Sequence, residues 1–137
     1  MKFEIINTPP PRALYKKIKE RFGAENVDWE KGIVFTVGDK IYCKFKLRQD
    51  LITHEKTHIK QQAEIGVDIW WDKYLSDDSF RYDEELEAYR NQYRWIKHNI
   101  KDRNKQNDML HSFARDLSGG MYGGLVSMSE AVNAIKQ

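Results

Sequence analysis

The sequence predicts an α+β domain, with strands in its first third and helices from there to the end. Three observations predict it. The runs rich in β-branched and aromatic residues lie before residue 50, between turn residues. From Asp50 onward, apolar side chains recur at spacings of three and four. The length, 137 residues, suits one domain, expected to span 1–137, with a core of ordinary size and no need of disulfides.

Lys2 to Ile6 reads as a short strand, stopped by Thr8 and Pro9-Pro10-Pro11. The prolines then open a helix, where a missing N–H costs nothing. Leu14, Tyr15, Ile18 and Phe22 fall at helical spacing, and Gly23 ends the element. Ile33–Val37 and Ile41–Phe45 flank Gly38-Asp39 and predict a hairpin of undetermined turn type. Asp50 is the expected N-cap of a helix that runs to Ile65 and stops at Gly66. A second, aromatic helix is expected over Val67 to Leu75, with Ser76–Ser79 as a loop. Tyr82, Leu86, Tyr89, Tyr93, Ile96 and Ile100 mark the buried stripe of a long helix from Tyr82 to Ile100. Lys101–Gln106 reads as a polar break and Asp108–Leu117 as another helix. Ser118–Gly124 reads as a flexible glycine-rich loop. Ser129 is the expected cap of a last helix, Glu130 to Ile135.

Composition excludes several classes. With 17 aromatic residues (4 Trp, 7 Tyr, 6 Phe) the chain is unlike a disordered one. Its 23 basic and 21 acidic residues are too balanced to indicate nucleic acid. The densest basic cluster, Arg94 to Lys105, reads as a solvated helix end. The N-terminal residues lack the apolar stretch of a signal peptide, and no apolar run approaches the ~20 residues that span a bilayer. A cytoplasmic protein with no membrane partner is the expectation. The single cysteine, Cys43, is expected to be buried and inert.

The chemistry concentrates in His54-Glu55-Lys56-Thr57-His58. On a helix, positions i and i+4 share a face one turn apart, so both imidazoles can reach one metal ion. Glu55 then stands next to a metal-bound water whose proton it can take. Zinc suits such ligands and lowers the pKa of bound water towards ~7. The competing reading is two surface histidines on a charged helix. A zinc site needs a third protein ligand. Gln61 and Glu64 stand where a third-histidine pattern would place glycine and histidine. His98 and His111 stand alone and read as ordinary surface or core residues. Asp83, Glu84, Glu85 and Glu87 remain. At ~100° per residue, Glu85 lies roughly 60° from the centre of the apolar stripe. Glu84 and Glu87 point away as a solvated helix start. Glu85 is therefore the expected third ligand.

His54-Glu55-x-x-His58 followed by Glu85-Leu86-Glu87-Ala88 resembles the gluzincin metallopeptidases, in which the Glu of a Glu-x-x-Ala motif is the third ligand. The specific part of the resemblance covers about Asp50 to Gln92. In size and order of elements the chain is also similar to small zincin-like proteins of tailed bacteriophages. Tyr89 stands where some of these families have Asp. The resemblance implies a minimal zincin-like fold, one Zn2+ held by His54, His58 and Glu85, and peptide-bond hydrolysis with Glu55 as general base. A peptide or protein would be the substrate, and Tyr122 or Tyr82 the oxyanion donor. The strand ahead of the motif would hold an extended substrate by backbone pairing. Trp70, Trp71 and Trp95 read as core residues that could also line a cleft. Gln61 and Gln62 read equally as groups near the site or as a solvated face. The alternative function is a non-catalytic, zinc-stabilised phage or host-interaction protein that keeps the fold.

Overall fold

A computed structural model describes residues 1–137, and it is α+β, with a small sheet and six α-helices. In chain order these are β1 (Glu4–Ile6), α1 (Arg12–Phe22), β2 (Phe35–Val37), β3 (Lys40–Tyr42), α2 (Gln49–Ile65), α3 (Val67–Ser76), α4 (Asp78–Asn99), α5 (Arg103–Leu117) and α6 (Met128–Lys136). Short 3-10 turns, which the sequence does not announce, join α1 to the hairpin at Ala24–Val27 and Trp29–Lys31. No helix is long and apolar enough to cross a membrane.

The sheet has the order β1-β3-β2, so β3 is central. It pairs antiparallel with β2 and parallel with β1. Val37 and Lys40 face each other across Gly38-Asp39. Gly38 has φ 62° while no other residue type in the chain has positive φ. That combination is a type II′ turn, with glycine at its first central position.

Three apolar clusters organise the chain. One joins the sheet to α2 through Ile41, Cys43, Leu47 and Ile59. A second, around Trp70, Trp71, Ile18 and Phe35, fastens α1 and the sheet to α3. The third holds α4, α5 and α6 together through Tyr82, Tyr89, Ile96, Leu110 and Leu117. Helix α2 lies between β2 and α4, which puts its histidines in the interior.

Several boundaries differ from the expectation, each for a local reason. Asp50 is not the cap of α2. Arg48 holds that position, and Asp50 turns inward, 3% exposed, to bind Arg48 and Gln92. The expected Ser76–Ser79 loop shrinks to Asp77, whose carboxylate accepts from Phe80 N–H and starts α4 at once. Asp102 does the same for α5, so the polar break ends before Arg103. The last helix is capped by Ser127, not Ser129. Ser127 and Glu130 form a reciprocal capping box.

Candidate metal centre

Helix α2 buries its polar face. Of its eight buried residues, Ile59 is the one hydrocarbon side chain; the others are Asp50, His54, Glu55, Thr57, His58, Gln61 and Gln62. Buried polar groups need partners, and α4 supplies many of them. That helix buries two stripes. Tyr82, Tyr89 and Ile96 face α5 and α6, while Glu85 and Gln92, two turns apart, face α2.

His54, His58 and Glu85 come together at the crossing of α2 and α4. Glu85 Oε1 lies 3.0 Å from each Nε2, and the two Nε2 atoms are 3.2 Å apart. Ligands held tetrahedrally at 2.0–2.1 Å from an ion would stand about 3.3 Å apart. The group is buried and could hold a metal ion.

The surrounding hydrogen bonds test that fit. Asp50 accepts from Arg48 at 3.0 and 3.1 Å and from Gln92 Nε2 at 2.8 Å. Burial raises its carboxyl pKa, but those bonds outweigh burial and hold it below its ordinary value. Asp50 therefore only accepts, and the nitrogen of Gln92 must face it. The oxygen of Gln92 then faces His54 Nδ1 at 2.9 Å, so Nδ1 carries the hydrogen. His58 is fixed the same way. Gln61 Nε2 donates to the Glu84 carbonyl at 2.9 Å and to Glu87 Oε1 at 2.8 Å, which turns Gln61 Oε1 to His58 Nδ1 at 2.9 Å. Both neutral imidazoles thus aim Nε2 lone pairs at the Glu85 oxygen. Three acceptors converge, which is what a cation requires.

Without a cation, a proton takes its place. Burial pulls the His58 pKa down, but the charge and hydrogen bond of Glu85 outweigh it and raise it from 6.5 to about 9. Burial raises Glu85, yet the charge of His58 and the two imidazole bonds hold it well below its ordinary value. The other Glu85 oxygen accepts from Tyr74 at 2.6 Å, which leaves a single oxygen at the centre. Trp70 stacks on Tyr74 and borders His58, and the Tyr89 ring meets His54 edge-on at 4.6 Å.

A cavity of about 360 Å³ opens beside these residues, and His54, Glu55, His58 and Glu85 line it. Glu55 is 7% exposed and its Oε1 accepts from the Thr36 hydroxyl at 2.9 Å. Tyr122 is on the same wall. Burial, followed by the charges of Glu85 and Asp116, pushes its hydroxyl well above the usual range, so it stays a neutral donor. Tyr82 is packed among α4, α5 and α6 instead. Trp70 and Trp71 are core residues that also line the cavity, whereas Trp95 packs against the α4–α6 cluster. His98 is exposed, and His111 binds the Asn107 carbonyl away from the centre. Gln61 and Gln62 are not a solvated face: both are buried and bonded. Glu87 is exposed, as expected, though it accepts from Gln61; Glu84 departs from the solvated reading, being half-buried and accepting from Trp70.

Asp50, Gln92, Tyr74 and Thr36 were not identified from the sequence as parts of the site. Two of them carried a signal. Asp50 precedes His54 by four residues and Gln92 follows Glu85 by seven, so each shares a helix face with a ligand. Tyr74 and Thr36 arrive from α3 and β2 and carry no such spacing.

Comparison of the chain with known protein families, curated proteins and solved structures finds no match.

Proposed function

We propose that this protein is a zinc metallopeptidase of the gluzincin type, with His54, His58 and Glu85 as ligands and Glu55 as general base. The observation that carries the reading is the convergence of three lone pairs beside Glu55 on a cavity wall. Two imidazoles and one carboxylate oxygen suit zinc with a fourth position open to water. The same residues carry the resemblance to the gluzincins, and size and order of elements carry that to small phage zincin-like proteins.

When bound, zinc would polarise a scissile carbonyl and bring the pKa of its water near ~7. Glu55 takes the proton of the attacking water and returns it to the leaving amine. Its Oε1 is held by Thr36, which leaves Oε2 for the proton. The neutral Tyr122 hydroxyl, which lines the same cavity, is the candidate donor to the developing oxyanion.

Protein purified without chelator is expected to carry one zinc per chain by elemental analysis and to cut labelled casein or mixed peptides. Glu55→Gln should keep the zinc and lose roughly 10²–10⁴ in rate. Zinc-free protein, or zinc content unchanged by His54→Ala, rejects the reading. One observation favours the non-catalytic alternative: His54, His58 and Glu85 are only 5–7% exposed. That alternative predicts a zinc-dependent rise in melting temperature with no substrate cut.

A further inference from the structure

We infer that this site cannot hold a peptide as an added strand, and anchors it instead by one bulky apolar side chain with a single backbone contact. The inference rests on the peptidase reading above and adds its substrate class.

The argument begins with the direction of backbone bonds. Glu4 N–H donates to the Asp39 carbonyl and Cys43 N–H to the Ile6 carbonyl. The odd-numbered residues of β3 are therefore bonded to β1, and Lys40 and Tyr42 face β2. Their partners are Val37 and Phe35. Thr36 and Gly38 consequently point away from β3, along the free edge of the sheet. That edge is where a substrate strand would add.

Gln62 of α2 already sits there. Its Nε2 donates to the Thr36 carbonyl at 2.8 Å, and its Oε1 accepts from Gly38 N–H at 2.7 Å. One side-chain amide thus makes both bonds that the N–H and C=O of one residue of a neighbouring strand would make. Gln62 is 0% exposed, so it is built into the interior. The next outward pair along β2 is Thr36 N–H and the Val34 carbonyl, and both residues line the cavity. The edge offers a substrate one residue's worth of pairing, adjacent to Glu55.

Affinity must come from elsewhere, and the cavity wall supplies it. Ile18, Phe22, Val27, Trp70, Trp71 and Met121 face the same space as His54 and Glu55. These residues belong to one continuous apolar cluster or pack against it. Such a surface accepts a leucine- or phenylalanine-sized side chain, whereas burying a charged one against it costs desolvation that the single unpaired Trp71 Nε1–H does not offset.

The test uses the zinc-loaded full chain, its metal content measured beforehand, and calorimetric titration with short peptide hydroxamates. One series varies a single side chain among Leu, Phe, Gly and Asp. The other keeps Leu and methylates successive peptide nitrogens. Leu and Phe should bind about tenfold or more tighter than Gly and Asp. Methylation should weaken binding at one position. Gln62→Met, which keeps the shape but frees the edge, should create a second sensitive position two residues away. Equal binding of Gly and Leu, or two alternate sensitive positions in the unmodified protein, overturns the inference and leaves the peptidase reading standing. Zinc-loaded protein that binds no hydroxamate rejects the peptidase reading, and the inference with it.

Discussion

Gln92 presents its oxygen to His54 because its nitrogen is committed to Asp50. Replacing it by Leu removes the group that fixes the tautomer and leaves Asp50 short of a donor. Gln92→Leu should weaken zinc binding about 10–100-fold, read by competition with a chromophoric chelator. An unchanged affinity would mean that Gln92 only packs. The proton on His58 gives a second outcome. In metal-free protein the His58 pKa is raised from 6.5 to about 9, burial being outweighed by Glu85. That contribution to stability is complete below 6.5 and fades as pH rises through about 9. In chelator, the urea midpoint should therefore fall between about pH 6.5 and about pH 9.5. Metal binding near neutral pH must also expel this proton. Calorimetry in buffers of different ionisation enthalpy should show the release, and none would be seen if His58 were already neutral.

At the scale of elements, Arg81 ties α4 to two of its neighbours. It is fully buried, donates to the carbonyls of Tyr74 and Met121, and pairs with Asp78. The glycine-rich segment, expected to be a flexible loop, closes as a 3-10 turn at Gly120–Tyr122 beside this guanidinium. Gly123 is required there. Its φ is 86°, and a Cβ would stand 2.8 Å from that of Asp78. Arg81→Met strands two carbonyls and should cost about 2–4 kcal/mol by denaturant titration. Removing the capping serine, Ser127→Ala, should cost about 1 kcal/mol, because one N–H at the start of α6 loses its acceptor. Equal effects of the two changes would contradict the clamp. The elements themselves were largely legible. Gly23, Gly66 and the spacing of apolar residues mark helices without reference to the rest of the chain. Apart from the serine that caps α6, the boundary errors fell on aspartates. Asp50, Asp77 and Asp102 are alike as sequence signals, and two are caps while one is a buried acceptor.

Over the whole molecule, the centre ties α2 to α4, and these helices belong to different apolar clusters. An ion there would join the sheet half to the helical half. Zinc at about a hundred times its dissociation constant should add about 2.7 kcal/mol. For a chain of this size that is a melting temperature higher by about 10 °C, reversed by chelator. Zinc without effect on melting would mean that it binds elsewhere. The sequence by itself determined the helix that carries His54, Glu55 and His58, the place of Glu85 on the flank of α4, and the α+β class. Those are periodic properties of single elements, set by residues three to seven positions apart. Only the tertiary structure decided that Gln92 and Tyr74 orient the ligands, that Glu84 and Glu87 hold the nitrogen of Gln61, that Thr36 holds Glu55, and that Gln62 closes the edge of β2. Each of those is a bond made by a side chain whose partner depends on how elements cross, and a polar side chain can meet its hydrogen-bonding needs in water as readily as against a neighbour.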